Sequence, residues 1–166
     1  MHAYPLPDFE SKICPPDRLA GRVSQLARPL VFTNGCFDIL HRGHVTYLAQ
    51  ARALGAAMIV AINTDASVRR QGKGDDRPIN AQAQRAAVLA SLASVDLVTW
   101  FDDDTPHDLI LAVRPDVLVK GGDWKPENIV GSREVLAWGG AVHSIPFLHQ
   151  TSTTATLQKI RAASGE

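Results

Sequence analysis

Short hydrophobic runs alternate with helical patterns along most of the chain. Between the runs, and after the last of them, apolar residues recur three and four positions apart, as they do along one face of a helix. Buried runs separated by helices of about three turns are typical of a parallel sheet covered on both faces. We therefore predict an α/β fold, a Rossmann-like doubly wound five-stranded parallel sheet with helices on both faces. The five predicted strands cover residues 30–34, 58–63, 97–101, 117–120 and 141–145.

Capping residues mark the expected ends of several helices. Asp17 is expected to cap a short helix over 17–27. Thr105 and Pro106 are expected to be the cap and the first residue of the helix after the third strand. Gly55 stands where a helix-ending glycine in the left-handed conformation belongs.

Length and composition indicate one ordinary domain. The 166 residues are 45% hydrophobic and 20% charged, a globular composition without an internal repeat. Prolines crowd the first residues, which we expect to form an irregular arm. The predicted organisation is an N-terminal arm with a short helix over 1–27 and a single α/β domain over 28–166.

Charge and cysteine content exclude several classes of protein. Seventeen basic and seventeen acidic residues give a formal net charge of zero, which removes the argument for bulk binding to nucleic acid or to an anionic membrane. No apolar run approaches the length of a membrane span, and the first residues do not resemble a secretory signal. Two cysteines, Cys14 and Cys36, do not make a disulfide framework, so we expect a cytoplasmic protein.

Polar and glycine-rich segments follow the predicted strands. In a doubly wound sheet, ligands bind outside the carboxyl ends of the strands, at the point where the strand order reverses. The residues immediately after each strand are therefore the candidates for a site. These segments are 34–44, 63–78, 102–106 and 121–124.

The segment 34–44 holds two histidines at the expected start of a helix. His41 and His44 are three residues apart, with Gly43 between them. At a helix N-terminus, imidazole N–H groups and free backbone amides suit an anion such as a phosphate, and glycine lets it approach the backbone. From the spacing alone, a zinc pair and two incidental histidines remain alternatives.

As a string, the segment NGCFDILHRGH resembles the GxFDxxHxGH signature of the HxGH nucleotidyltransferase superfamily. The similarity continues through KGDDRPIN, Arg85, the DTP turn, PDVLVKGGDW and STTATLQKI, and covers about residues 28–163. Within the superfamily, the chain resembles the D-glycero-β-D-manno-heptose 1-phosphate adenylyltransferases, in the free-standing form without a kinase domain. The resemblance implies transfer of AMP from ATP to the heptose 1-phosphate, giving pyrophosphate and ADP-heptose for lipopolysaccharide core biosynthesis.

The resemblance also implies roles for individual residues. It makes His41, His44 and Lys73 catalytic. It implies sugar-phosphate contacts from Arg77, Arg85, Lys120, Gly122 and Trp124. It implies no metal-binding side chains, with Mg²⁺ carried on the ATP phosphates. The implied nucleotide site consists of Asn34, Gly35, Cys36, Phe37, Asp38, Gly43, Gly121, Asp123, Ser152 and Thr153.

Several of these residues have a plain structural alternative. Arg85 is equally well explained by a structural ion pair, and Trp124 by a place in the core. The basic segment 69–80 has the composition of a solvated loop, and residues 152–154 also suit a helix cap. The acidic run 102–104 is the ordinary start of a helix rather than a metal site.

Two other functions compete with adenylyl transfer to a sugar phosphate. A glycerol-3-phosphate cytidylyltransferase is the nearest rival, but its RTxGIST pattern is replaced by HQTSTT at 149–154. The other is an ATP-binding regulatory module without turnover. The resemblance further implies a homodimer acting after a separate heptose 7-phosphate kinase. Its partners would be the small-molecule substrates, with no nucleic acid and no membrane.

Overall fold

Five parallel strands form one sheet at the centre of the molecule. The computed structural model describes residues 4–72 and 74–165. The strand order is β3-β2-β1-β4-β5, and all four neighbouring pairs run parallel. The predicted α/β fold with its doubly wound five-stranded sheet is therefore confirmed. The strands are β1 (Leu30–Gly35), β2 (Ala57–Asn63), β3 (Leu97–Phe101), β4 (Val117–Gly121) and β5 (Ala141–Ile145).

Helices cover both faces of the sheet. One hydrophobic cluster packs α2 and α4 against one face, and a second packs α1, α5 and α6 against the other. Because β1, β2 and β3 are covered on both sides, nearly all of their side chains are buried. The helices are α1 (Leu19–Val23), α2 (Arg42–Arg52), α3 (Asp65–Arg70), α4 (Gln82–Ala90), α5 (His107–Val113), α6 (Ser132–Ala137) and α7 (Thr153–Ser164), with 3-10 turns at Asp8–Lys12, Pro16–Arg18 and Pro126–Asn128.

The order of the strands reverses beside β1. The chain passes from β1 to β2 and β3 on one side, and then returns to place β4 on the other side of β1. The register pairs Val31 with Met58 of β2 and with Val117 of β4. The loops that leave β1 and β4 therefore meet at one point on the carboxyl edge of the sheet, where a ligand crevice is expected.

The predicted cap residues do not occupy the predicted positions. Asp17 lies inside a 3-10 turn, and α1 begins two residues later without a side-chain cap. Pro106 is itself the N-cap of α5, because the helix begins one residue later than expected. Gly55 does not adopt a positive φ; instead, a Cβ there would lie 2.4 Å from the Pro29 carbonyl oxygen, so the glycine permits a close approach of two chain segments.

The short helix α3 was missed because it carries a single buried aliphatic side chain, too little for a periodic signal. Its N-cap is Thr64, whose hydroxyl accepts a hydrogen bond from the Ser67 amide at 3.1 Å. The acidic run pairs with this helix: Arg70 Nε lies 3.4 Å from Asp104 Oδ1. Residues 69 and 70 are thus helical rather than part of a loop.

The N-terminal arm lies along the outer strand of the sheet. The Cys14 amide donates to the Val98 carbonyl at 2.8 Å, and Ile13 forms a parallel bridge with Val98. Cys14 and Leu19 are buried in one of the two hydrophobic clusters. Within the part of the chain that the structure describes, no helix combines the length and apolarity that crossing a bilayer requires.

Candidate active site

The loop from β1 to α2 begins with an unusual backbone conformation. Phe37 has a φ of 49°, a region that residues other than glycine rarely adopt. Its ring packs over Gly35, where a Cβ would come within 2.9 Å of the aromatic carbons. The pair forms a tight corner at the end of β1, and such strained corners are common at binding sites.

The two histidines of the motif stack on each other at the start of α2. His41 is the N-cap, His44 lies in the first turn, and their ring centroids are 3.8 Å apart. His41 Nδ1 and the Thr151 hydroxyl share a hydrogen bond of 3.1 Å. A Cβ on Gly43 would lie 3.0 Å from the His41 ring and 3.2 Å from the His149 carbonyl oxygen, so this glycine makes room for the histidine.

Burial keeps both imidazoles neutral. It lowers the pKa of His44 to about 4, with the adjacent His41 adding to the effect and the Ile39 carbonyl opposing it. Burial also lowers the pKa of His41. Among the described residues, His44 Nδ1 is buried without a hydrogen-bond partner. A neutral imidazole with an unsatisfied buried nitrogen is prepared to bond an incoming polar group.

A cavity of about 360 Å³ opens beside His44, and we call it the histidine cleft. The first residues of α2 and α7 both line it, so two helix N-termini present their positive ends to the same space. Ser152 caps α7 by accepting from the Ala155 amide, and the Thr153 hydroxyl donates to the Ile39 carbonyl at 3.2 Å. The cleft is lined by Cys36, Phe37, Asp38, His44, Arg77, Thr153 and Thr154.

A second cavity of about 200 Å³, the wide cleft, lies on the other side of the β1 corner. Trp124 is 47% exposed there, and its Nε1 donates to the Gly121 carbonyl at 3.2 Å. Lys120 Nζ lies 5.9 Å from the centre of the Trp124 ring, within range of a cation–π interaction. Gly122 takes a φ of 113° that lets the chain turn toward this tryptophan. Residues Asn34, Gly35, Cys36, Lys120 and Trp124 of the predicted site line this cleft.

A narrow recess lies between the two clefts and shares residues with both. Cys36 belongs to all three spaces, while Lys120 and His44 line the recess together. Gly121 lies at its wall, where a Cβ would be 3.0 Å from the Phe147 ring and 3.1 Å from the Tyr47 ring. The end of β1 thus lies between two cavities that a pair of reacting substrates can share.

Asp38 ties the histidine loop to the segment that precedes α4. Its carboxylate accepts from Arg77 Nε at 2.5 Å, from the Ile79 amide at 2.9 Å and from the Asn80 amide at 2.8 Å. Burial opposes ionisation of Asp38, but these donors outweigh it and hold the pKa below its usual value. Arg77 therefore lines the histidine cleft rather than the wide cleft, and its guanidinium is paired with Asp38.

Arg85 lies beneath the site, with a fully buried side chain. Its guanidinium donates to the carbonyl oxygens of Asn80, Cys36 and Asn63 at 2.8–2.9 Å. It also pairs with Asp65 at 2.7 Å. The structure thus shows the structural ion pair, and it does not bring the Arg85 guanidinium to the surface of either cleft.

Several predicted site residues do not line the clefts. Of those that the structure describes, the residues absent from the lining of the histidine cleft, the wide cleft and the recess are His41, Gly43, Arg85, Gly122, Asp123 and Ser152. Lys73 lies outside the described residues, so its position is a prediction only. Asp123 is exposed and is absent from the lining of both clefts as far as the chain is described. Across residues 4–72 and 74–165, no three His, Cys, Asp or Glu side chains are grouped to hold a metal ion.

The site also contains residues that the sequence did not single out. Thr154 lines the histidine cleft, directly after the predicted Ser152 and Thr153. Asn63 and Gln71 line the wide cleft and follow the buried part of β2, where the carboxyl-end rule could have found them. Asn128 lies in the 3-10 turn that follows β4, beyond the candidate segment 121–124, and the fold brings this turn to the cleft.

Comparisons with known proteins agree with this geometry. A family model described as cytidylyltransferase-like matches residues 32–156. A D-beta-D-heptose 1-phosphate adenylyltransferase of Bordetella bronchiseptica is 57% identical over 155 residues, which cover 92% of this chain and 96% of that protein. The chain belongs to the heptose 1-phosphate adenylyltransferase family. The resemblance of the motifs to this family and to its nucleotidyltransferase superfamily is thereby confirmed.

Other members of the family are longer, and solved structures share the fold. The bifunctional protein HldE of Hahella chejuensis is 57% identical over 132 residues, which cover 80% of this chain but 28% of that protein. The lipopolysaccharide core biosynthesis protein from Thermoplasma volcanium is 26% identical with a TM-score of 0.58, covering 74% of this chain and 98% of the other. A pantoate-beta-alanine ligase from Francisella tularensis is 16% identical with the same TM-score. The match covers 83% of this chain and 67% of the other, and it shows a shared fold alone.

Proposed function

We propose that this member of the family transfers AMP from ATP to D-glycero-β-D-manno-heptose 1-phosphate, giving ADP-heptose and pyrophosphate. The observation that carries the proposal is the pair of clefts that meet at the end of β1. The histidine cleft offers the His44 imidazole and two helix N-termini to a triphosphate. The wide cleft offers Lys120 to a phosphate and the flat ring of Trp124 to a sugar.

The reaction needs alignment and charge stabilisation rather than a protein nucleophile. A phosphate oxygen of the sugar 1-phosphate forms a bond to the α-phosphorus of ATP. The bond from that phosphorus to the α,β-bridging oxygen breaks, and its electron pair leaves with pyrophosphate. Because the attacking oxygen is already anionic, no strong general base is required, and catalysis rests on positioning and on preorganised donors.

In this proposal, the histidine pair stabilises the negative charge that develops on the phosphates. Held neutral by burial, His44 carries a single N–H. In this proposal that N–H is directed at a phosphate oxygen instead of the Ile39 carbonyl, while the second nitrogen stays an acceptor. His41 supports it by ring stacking and is itself oriented by Thr151. In the same proposal, Lys73 contacts the phosphates, as the family resemblance implies, and Gly121, Ser152 and Thr153 contribute backbone or hydroxyl groups to the nucleotide.

The side chains present are compatible with Mg²⁺ that arrives on the ATP phosphates. Asp38 is the carboxylate in the lining of the histidine cleft, and three donors already occupy its oxygens. Bound to ATP, Mg²⁺ would neutralise part of the triphosphate charge. We further propose a cytoplasmic homodimer that acts downstream of a separate heptose 7-phosphate kinase, as the family resemblance implies.

Pyrophosphate release with four nucleotides tests the proposal. The enzyme is incubated with Mg²⁺, ATP, CTP, GTP or UTP, and heptose 1-phosphate of either anomer. Pyrophosphate and ADP-heptose should appear together with ATP and the β-anomer. Turnover with CTP alone would favour a cytidylyltransferase, and binding of ATP without turnover by any nucleotide would favour a regulatory module.

A further inference from the structure

The wide cleft contains a group of neutral amide side chains that none of the assigned roles uses. Gln71 lies directly after α3, and Asn128 ends the 3-10 turn after β4. Both are exposed residues that line the cleft, with Asn63 at the end of β2. The histidine cleft has no such group among the residues that the structure describes, and its polar side chains are hydroxyls, Asp38, His44 and Arg77.

Amide side chains suit one class of ligand. Asn and Gln each offer N–H donors and a carbonyl acceptor, which matches a hydroxyl group that donates and accepts. Asp104, also in the lining, brings a carboxylate that Arg70 partly neutralises, and a carboxylate at this end of the cleft disfavours a triphosphate. A neutral polyhydroxylated group fits these side chains better than a second phosphate does.

The position of Lys120 indicates how the sugar phosphate is oriented in the wide cleft. Lys120 lines both the wide cleft and the recess that leads to His44. A sugar phosphate whose phosphate lies near Lys120 can present its oxygen to the nucleotide next to His44. Its carbon skeleton then extends across Trp124 into the remainder of the wide cleft, where Gln71 and Asn128 lie.

Resting on the function proposed above, we propose that Gln71 and Asn128 form the subsite for the sugar hydroxyls of the acceptor and so determine its specificity. They act on binding of the sugar, and they contact neither the nucleotide nor the reacting phosphates. Cys36 Sγ lies 3.5 Å from Gln71 Oε1, a contact that holds this amide on the wall of the wide cleft.

Steady-state kinetics of Gln71→Ala and Asn128→Ala test the subsite. Loss of one hydrogen bond to the sugar should raise the KM for heptose 1-phosphate about 3–10-fold in each variant. The kcat and the KM for ATP should stay within about twofold of the parent enzyme, since uniform binding is what is lost. Gln50→Ala removes an amide from the exposed part of α2 and should change none of the three constants.

Kinetic results that differ from these expectations would overturn the proposed subsite. An unchanged KM for the sugar phosphate in both variants would do so, as would a rise in the KM for ATP of the same size or larger. If an alanine variant unfolds, the near-isosteric variants Gln71→Glu and Asn128→Asp take its place. They should still raise the KM for heptose 1-phosphate, because a carboxylate lacks the N–H donors of the amide. An unchanged KM in these variants would also overturn the subsite. A parent enzyme that makes no ADP-heptose would instead contradict the proposed function, and the subsite with it.

Discussion

At the scale of single residues, the histidine pair is the feature with the sharpest consequences. The rings stack at 3.8 Å, and both are buried enough to stay neutral. Two imidazolium ions at this separation would repel each other, so neutrality also allows the stacking. The role proposed for His44 in turnover and its contribution to stability can therefore be measured separately.

Replacing His44 by alanine should impair turnover more than folding. Removal of one preorganised donor lowers kcat by about 10²–10³-fold. His44 faces a cleft, so the thermal midpoint should stay within a few degrees of the parent. Pyrophosphate release and a thermal melt measure the two effects. An unfolded variant, or one with full kcat, would show that the imidazole is structural or unused.

The pH dependence of stability should report the same residue. The pKa of His44 is about 4 in the folded chain against an ordinary value of 6.5. Between these pH values, the unfolded chain binds a proton that the folded chain excludes. The free energy of unfolding therefore has its full value above about pH 6.5 and decreases as the pH falls toward 4. The lowered pKa of His41 acts in the same direction.

Urea unfolding at pH 7 and pH 5 measures this loss. The drop in free energy of unfolding between the two values should be smaller in His44→Ala than in the parent. Equal drops in the two proteins would mean that His44 is protonated in the folded state, and that its burial does not control its charge.

At the scale of elements, Arg85 of α4 joins the ends of β1 and β2. Replacing it by methionine keeps the length of the side chain but leaves three buried carbonyls and Asp65 without their donor. We expect a loss of about 2–4 kcal/mol in the free energy of unfolding. Arg85→Lys should recover little of this stability, because a single ammonium group cannot reach all the partners that the forked guanidinium group contacts.

Chemical unfolding of Arg85→Met, Arg85→Lys and Arg133→Met makes the comparison. Arg133 is an exposed residue of α6, so its replacement should change stability by less than about 0.5 kcal/mol. Equal stability of the Arg85 and Arg133 variants would show that the buried network contributes nothing.

The elements also show what a sequence can reveal and what it cannot. The central strands β1 and β2 were predictable because burial on both faces makes them runs of mostly apolar residues. Helix α3 was not predicted because a single buried valine produces no helical periodicity. Arg85 stayed ambiguous because its partners Cys36 and Asn63 are 49 and 22 residues away, and only the folded sheet brings them together. The histidine motif was found by resemblance, whereas Asn128 enters the site through tertiary structure alone.

At the scale of the whole molecule, the end of β1 lies between the two clefts proposed for the substrates, and the recess connects them. Trp124 lines only the cavity proposed for the sugar phosphate. Heptose 1-phosphate should therefore change the tryptophan fluorescence, and the Trp124→Phe variant should lose this change. ATP alone should leave the signal nearly constant in both proteins.

Fluorescence titration with each substrate provides the measurement. The other two tryptophans, Trp100 and Trp138, are partly buried away from this cleft and serve as an internal reference. A response to ATP as large as the response to the sugar phosphate would place the nucleotide in the wide cleft and reverse the assignment.

The arm along β3 has a consequence for the handling of the protein. β3 is the last strand on its side of the sheet, and Ile13 and Cys14 occupy hydrogen-bonding positions beside Val98. A chain shortened past Cys14 would present that backbone to other molecules, and uncovered outer strands pair readily with one another. Such a chain would be prone to aggregate, even though both clefts lie at the carboxyl edge of the sheet and are lined by none of the arm's residues from position 4 onward.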